Sequence, residues 1–183
     1  MKFINLLTLI PLVAARGSRT CSNKNQNATT PLVPEDCCCM TYKAACTMNM
    51  ERVYHVKLFY NRKQGITPEE FNKYWAYNHA ALATPFHLRL GVVKYSQYHS
   101  TPELRDLGRV EGAAPILEFD GAAEFWVHSL ETLQAMANDN EYITKIQPDE
   151  ANFMDLESAR MIIGVDYIVV EHQNAVQQHG RTF

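Results

Sequence analysis

The hydrophobic positions of the chain alternate with two different periods, and each change of period marks a boundary between predicted elements. A period of two over residues 53–60 (VYHVKLFY) predicts a strand with His55, Lys57 and Phe59 on one face. The other face of this strand is mostly apolar. A histidine beside a lysine indicates that their face meets either water or a cavity with polar groups.

Helix signals follow the first strand. Thr67 is a candidate N-cap, Pro68 suits the first helical position, and Glu70 completes a capping box. The helix is predicted to end at Pro85, because proline cannot continue the helical hydrogen bonding. His79 lies beside the apolar stripe of this helix, where a structural hydrogen bond is the simplest role.

The remaining pattern predicts four more elements and a polar tail at residues 174–183. In chain order these elements are a strand at 92–100, a strand at 115–128 with a bulge or bend at Gly121, a helix capped by Ser129 with a further helical turn after Pro148, and a strand at 159–171.

The order strand, helix, strand, strand, helix, strand predicts an α+β, ferredoxin-like βαββαβ fold with both helices on one face of an antiparallel sheet. A large bare apolar face is rare in a small soluble domain. We therefore expect a homodimer, a dimeric α+β barrel in which two sheets face each other around a small-molecule site in each half.

The composition excludes some classes of function. A hydrophobic fraction of 46% is typical of a globular protein, and a formal net charge of -3 without a basic cluster argues against nucleic-acid binding. No zinc-ligand spacing and no glycine-rich phosphate loop occurs in the sequence, so no metal and no cofactor is predicted. Cofactor-free acid–base chemistry or simple binding remains.

The amino-terminal part has a different composition, since it holds all five cysteines: Cys21, Cys37, Cys38, Cys39 and Cys46. Residues 1–15 have the layout of a secretory signal peptide, and residues 16–50 are expected to be a poorly ordered, cysteine-containing leader. The protein is then secreted, one thiol is left over, and Asn27 is a glycosylation acceptor. Alternatively, Met48 or Met50 starts a cytoplasmic protein. No membrane span is expected in either case.

Alternation along each strand gives a candidate set on the uncovered face of the sheet, namely His55, Lys57, Tyr95, Gln97, His99 and Asp120. The candidate substrate-binding residues are Lys57, Phe59, Gln97, Asp120 and Trp126. An imidazole (His55 or His99) can transfer a proton near neutral pH. A tyrosine hydroxyl (Tyr95) can donate a hydrogen bond to a developing enolate oxygen. For each residue, a purely structural role is the alternative.

Four segments carry a family resemblance: FYNRKQGITPEEFNKYWAYNHAAL, KYSQYH, FDGAAEFWV and PDEANFMD. Together they resemble the EthD-type domain of the dimeric α+β barrel superfamily, most closely its fungal members in aromatic polyketide pathways, which include the tpcK-type decarboxylases. The resemblance spans residues 53–171 and implies cofactor-independent decarboxylation, dehydration or cyclisation. It points to His79 and His99 as the family histidines. The sequence departs at NHAAL, where a glycine and a proline commonly follow the histidine.

The resulting hypothesis is a cofactor-independent lyase that acts on an aromatic polyketide intermediate. His99, His55, His79 and Tyr95 are its candidate catalytic residues, within an EthD-like domain at residues 51–173. The alternative is a non-catalytic barrel that binds a hydrophobic metabolite or assists an oxidoreductase system.

Overall fold

The structure is a computed structural model that describes residues 46–183. The predicted signal peptide, the sequon at Asn27 and four of the five cysteines lie outside the described residues. Cys46 is disulfide-bonded. The described chain forms two compact units, a sheet unit (Tyr54–Gly164) and a terminal unit in which residues 46–53 join Val165–Phe183.

The elements in chain order are α1 (Thr47–Glu51), β1 (Tyr54–Arg62), α2 (Pro68–Lys73), a first π-helix (Tyr74–His79), α3 (Ala80–Arg89), β2 (Lys94–His99), α4 (Pro102–Gly108), β3 (Gly121–Val127), α5 (Leu130–Asn138), a second π-helix (Tyr142–Ile146), α6 (Gln147–Phe153), β4 (Met154–Gly164), β5 (Val170–Glu171) and β6 (Asn174–Ala175).

The sheet unit contains one four-stranded sheet in the order β2-β3-β1-β4. Every neighbouring pair is antiparallel, with β1 in the centre between β3 and β4. Helices connect β1 to β2 and β3 to β4. This is the ferredoxin-like arrangement, so the predicted fold class is confirmed.

The first helical stretch begins as predicted. Thr67 and Glu70 form the capping box, with the Glu70 N–H donating to the Thr67 hydroxyl at 3.2 Å and the Thr67 N–H donating to the Glu70 carboxylate at 2.8 Å. The predicted end at Pro85 is wrong, because the helix continues to Arg89. Proline removes one helical hydrogen bond, and the complete burial of Phe86, the next residue, offsets that loss.

The first π-helix keeps one row of side chains directed at the sheet. The N–H of Ala80 donates to the carbonyl of Trp75, five residues earlier. Positions four apart in a regular α-helix drift by about 40° per step. A wider turn takes up part of this drift. A row at four-residue spacing consequently stays buried throughout, namely Phe71, Trp75, His79, Ala83 and His87.

Gly121 opens β3 because Trp75 packs directly against it. A Cβ atom at this position would lie 2.6 Å from the indole of Trp75 and 2.6 Å from the carbonyl oxygen of Tyr98. The predicted strand at 115–128 therefore begins only at Gly121, and the glycine provides a close approach rather than a bulge inside the strand.

Two further predictions need correction, and one helix was not predicted. Residues 159–171 do not form one strand, since β4 ends at Gly164 and Val170–Glu171 belong to a separate hairpin. Pro148 lies in the first turn of α6, where a missing N–H costs little, so it does not interrupt the helical stretch that includes the second π-helix. The linker after β2 contains α4, whose Thr101 N-cap accepts a hydrogen bond from the N–H of Leu104.

The terminal unit is held together by one buried carboxylate. Glu51 accepts hydrogen bonds from the N–H of Ile168 at 2.7 Å, from the N–H of Gly180 at 2.6 Å and from Nδ1 of His179 at 2.9 Å. Burial opposes ionisation of Glu51, but these hydrogen bonds outweigh it and hold the pKa of the carboxyl below its usual value. The sequence predicted only a polar tail here.

None of the helices in residues 46–183 is both long and apolar enough to cross a membrane.

Candidate functional site

The pairing register divides the candidate residues between the two faces of the sheet. Tyr95 lies opposite Phe125 and Phe125 lies opposite Val56, so Tyr95 is on the inner face, which packs against the helices. Trp126 lies opposite both His55 and Lys94, and these residues define the outer face.

The prediction that Tyr95, Gln97 and His99 share a face with His55 and Lys57 is therefore wrong. Alternation correctly separated the two faces within each strand. It contains no information on the register between strands, and the register decides which faces coincide.

The outer face holds a compact group of paired charges and rings. The His55 ring stacks on Trp126 at 3.9 Å, and its Nε2 lies 2.9 Å from the carboxylate of Glu124. The Nζ of Lys57 is 3.6 Å from the other oxygen of that carboxylate. Phe59 lies opposite Ala122 and so shares this face. Four predicted site residues are thus together, but on the side away from the helices.

Asp120 has a partner on each side. Its carboxylate accepts hydrogen bonds from the Arg62 guanidinium at 2.6 Å, from the Arg62 main-chain N–H at 3.0 Å and from the Arg105 guanidinium at 3.3 Å. This ion-pair network connects the end of β1 with α4 and the start of β3. The arrangement indicates a structural role, with the Asp120 oxygens already engaged.

On the inner face, a chain of hydrogen bonds runs from helix to strand. The Tyr95 hydroxyl accepts from the indole N–H of Trp75 at 3.1 Å and from the amide of Gln97 at 3.2 Å. The same amide nitrogen donates to the carbonyl of Trp75. The amide oxygen of Gln97 lies 3.2 Å from Nε2 of His99, whose Nδ1 is 2.6 Å from the amide oxygen of Asn72.

These hydrogen bonds leave Tyr95 and His99 with different capacities to donate or accept a further hydrogen bond. Because the Tyr95 oxygen accepts two hydrogen bonds and no described residue accepts its proton, the hydroxyl can still donate. Burial raises the pKa of Tyr95 to about 12, so the proton stays in place at neutral pH. Both ring nitrogens of His99 already have amide partners, and burial lowers its pKa.

His79 has the geometry of an oriented base. It is buried, and its Nδ1 lies 2.8 Å from Asp149, whose second carboxylate oxygen accepts from the Tyr74 hydroxyl at 2.7 Å. Burial lowers the pKa of His79, and the hydrogen bond and charge of Asp149 only partly offset that effect. With Nδ1–H donating to Asp149, Nε2 carries the lone pair of a neutral imidazole.

Glu150 provides an acid next to this pair. The Tyr142 hydroxyl donates to its carboxylate at 3.1 Å. Burial and the nearby charge of Asp149 raise the pKa of Glu150 to about 8, although the Tyr142 hydrogen bond opposes this. The carboxyl is therefore mostly protonated at pH 7. The charge of Glu150 also acts on Tyr95, which means that the two groups share the interior.

His87 completes the interior group. Its ring lies 4.8 Å from the ring of Tyr95 and 5.3 Å from that of Phe125. Burial, together with the nearby His79, lowers the pKa of His87 to about 4, so the imidazole is neutral.

The inner cluster is defined here as His79, His87, Tyr95, Gln97, His99, Asp149 and Glu150. Tyr95, Gln97 and Glu150 are half-buried, so these three side chains keep some contact with solvent. The sequence analysis missed His87, Asp149 and Glu150. The four-residue spacing from His79 through Ala83 to His87 was a usable signal for the first of them.

No group of three or more His, Cys, Asp or Glu side chains within residues 46–183 is arranged to hold a metal ion.

The inner cluster lies in a part of the chain that matches a known family. Residues 63–157, more than half of the chain, match the model of the EthD domain. The chain belongs to the EthD domain family. The resemblance found in the sequence is thereby confirmed, and the EthD match contains all seven residues of the inner cluster. His55, Lys57 and Phe59 precede the matched region.

Two fungal relatives of this EthD chain are named dehydratases. Dehydratase CTB10 from Cercospora beticola is 24% identical over 107 residues, which cover 56% of this chain and 81% of the relative. Dehydratase aurZ from Gibberella zeae is 24% identical over 107 residues, which cover 56% of this chain and 70% of the relative.

Solved structures with similarity to this EthD chain include an ethyl tert-butyl ether d (EthD) family protein from Bacillus halodurans, with a TM-score of 0.43 and 14% identity over 63% of this chain and 99% of the other. Another is a dimeric protein of unknown function with a ferredoxin-like fold from Bacteroides fragilis, with a TM-score of 0.44 and 8% identity over 64% of this chain and 99% of the other.

Proposed function

We propose that this EthD chain is a cofactor-independent lyase that removes water from a β-hydroxy ketone in an aromatic or pre-aromatic polyketide. One observation carries the proposal: a neutral base oriented by a carboxylate (His79 with Asp149) lies in the same interior as a hydroxyl with an uncommitted proton (Tyr95). The relatives named dehydratases support this reaction class.

The reaction begins at the carbon next to the ketone. Nε2 of His79 removes a proton from this carbon, and the electron pair moves onto the ketone oxygen to give an enolate. Asp149 holds the imidazole ring and stabilises the imidazolium that forms, as its hydrogen bond to Nδ1 allows. The Tyr95 hydroxyl donates a hydrogen bond to the enolate oxygen without losing its proton.

The second step breaks the carbon–oxygen bond. Glu150 gives its proton to the β-hydroxyl group, the enolate electrons form the new carbon–carbon double bond, and water leaves. The imidazolium of His79 then returns its proton to the Glu150 carboxylate, so the enzyme is restored. A carboxyl group with a pKa of about 8 is suited to this donation at neutral pH.

His99 acts in this account through its neighbours. Its Nε2 lies within hydrogen-bond distance of the Gln97 amide oxygen, and the Gln97 amide nitrogen donates to the Tyr95 hydroxyl. His99 is thus a positioning residue. His55 takes no part, because it lies on the outer face, across the sheet from Tyr95.

The test uses a β-hydroxytetralone, which gives a fluorescent naphthol when it loses water. Purified protein is expected to accelerate naphthol formation, and His79→Asn is expected to lower the rate by roughly 10²–10⁴-fold. The matched control is His55→Asn, which changes a histidine on the outer face and should leave the rate unchanged. Binding of the tetralone without any naphthol would instead indicate the non-catalytic barrel.

We also propose that the outer face pairs with a second copy of the chain. Tyr98 and Ile162 lie on this face with 62% and 58% of their surface exposed, which favours burial against a partner. Sedimentation should show a dimer that Ile162→Asp dissociates. Leu88→Asp, an equally drastic change at an exposed site on α3, should leave it intact. A monomeric wild-type protein would refute this pairing.

A further inference from the structure

His87 lies among the groups of the proposed reaction, yet no step uses it. Only 7% of its surface is exposed, and its Nδ1 is fully buried without a hydrogen-bond partner among residues 46–183. Nearly all buried polar atoms in folded proteins have a partner, so an exception needs an explanation. A group on a bound ligand would supply one.

The position of His87 on the helix indicates which part of a ligand it would meet. His79 and His87 are eight residues apart, which is about 12 Å along the helix axis. Ala83 lies between them on the same buried row and has a small side chain. The ring of His87 packs near Tyr95, beside the place proposed for the enolate oxygen.

We propose that Nδ1 of His87 exchanges a hydrogen bond with a phenolic hydroxyl group of the substrate that lies beside the ketone oxygen, on the side away from the carbon that loses its proton. This inference rests on the proposed function and narrows the substrate class to aromatic ketones with a hydroxyl on the adjoining ring. A neutral imidazole can donate or accept at Nδ1, and so can a phenol, which makes the pair compatible in either tautomer.

The test is a cycle that combines one protein change with one ligand change. The probes are a naphthol, with one hydroxyl, and a naphthalenediol with a hydroxyl on each ring. The wild-type protein should bind the diol about tenfold more tightly than the naphthol, which corresponds to one additional well-formed hydrogen bond. His87→Phe should bind both probes equally, and His87→Asn, with an amide near the Nδ1 position, should recover part of the preference.

Thermal unfolding separates this role from a structural one. His87→Phe removes an unpaired buried polar atom, so the melting temperature without ligand should stay the same or rise. A structural histidine would give a lower melting temperature and no change in probe preference. Leu88→Phe, at the exposed neighbouring position, is the control for both measurements.

Should His87→Phe not fold, the ¹⁵N resonance of the His87 ring in the wild-type protein provides the answer: it should shift with the diol and not with the naphthol. No preference for the diol in a protein that still forms naphthol would overturn this inference alone. Loss of both turnover and probe binding would overturn the proposed function with it.

Discussion

The indole N–H of Trp75 donates a hydrogen bond to the Tyr95 hydroxyl across 3.1 Å, and this bond joins the first π-helix to the second strand. The main-chain carbonyl of Trp75 accepts from Gln97, which also donates to the same hydroxyl. The Tyr95 oxygen thus accepts two hydrogen bonds, and the hydroxyl proton points away from both donors.

Tyr95→Phe should reduce kcat for the tetralone by roughly 10²–10³-fold with little change in KM, because the lost hydrogen bond strengthens only as the enolate forms. Steady-state kinetics give both constants. Tyr98→Phe removes a hydroxyl from the outer face of the same strand and should have no effect. An equal loss in the two variants would contradict the assignment of Tyr95.

Gly121→Ala should destabilise the sheet unit by about 1–3 kcal/mol, since the new methyl group meets the Trp75 ring and the Tyr98 carbonyl. Urea unfolding measures this difference. Gly164→Ala is the matched control at another strand position, where a Cβ atom has nothing within 4 Å. If both variants were equally stable, Trp75 would not pack as described.

Asp149→Asn should lower kcat/KM by roughly 10²–10⁴-fold, because the amide no longer selects the His79 tautomer with a free Nε2. The acid side of the pH profile also follows. His79 is active when neutral, and burial holds its pKa below 6.5, so activity should persist below that pH and fall as pH drops through the lowered pKa.

In Asp149→Asn no carboxylate raises the pKa of His79. The residual activity of the variant should therefore fall at a still lower pH than that of the wild type. Asp155→Asn, at an exposed carboxylate in β4, serves as the control. An acid limb that moved upward in Asp149→Asn would contradict the stated role of the carboxylate.

Glu150→Gln should lower kcat, because an amide cannot give a proton to the leaving hydroxyl group, and the activity that remains should lack the alkaline limb of the pH profile. In the wild type, activity should decline as pH rises through about 8, where Glu150 loses its proton. The contribution of Glu150 to the free energy of unfolding should also decrease as pH rises. A carboxyl with a raised pKa favours the folded state at low pH, and that contribution is lost as pH rises from 4.5 through about 8. Glu150→Gln should therefore be less sensitive to alkaline unfolding, as urea titrations at two pH values can establish.

Glu51→Gln should loosen the terminal unit by about 1–3 kcal/mol, since it weakens hydrogen bonds from Ile168, His179 and Gly180 to a buried carboxylate. The pKa of Glu51 is lowered, so its contribution is present above about 4.5 and is lost as pH falls through the lowered value. Hydrogen exchange at the Ile168 and Gly180 amides should report both effects. Unchanged exchange in the variant, relative to a Glu171→Gln control, would contradict the assignment.

Much of the fold was accessible from the sequence because its signals are local. The Thr67–Glu70 capping box and the alternation in β1 both depend on residues a few positions apart. The helix through Pro85 was not accessible, since the burial of Phe86 outweighs the local effect of the proline.

The candidate site was predicted less well because it depends on contacts between distant segments. Tyr95 and His99 were identified as residues, but the face on which they lie depends on a strand register that sequence alternation does not contain. Asp149 and Glu150 follow a proline in a helix far along the chain, and only the fold brings Asp149 within 2.8 Å of His79.

The wide turn from Tyr74 to His79 has a consequence for evolution and design. A helix that lost one residue there could close up as ordinary α-helix, with its hydrogen bonds intact. Because five residues of the wide turn cover about the same rotation as four residues of α-helix, the side chains downstream would keep their directions. Such a deletion would leave His87 on the buried row, whereas the loss of one residue from Ala80–Arg89 would turn every later side chain of the helix, so the wide turn is the place where this helix tolerates a change of length.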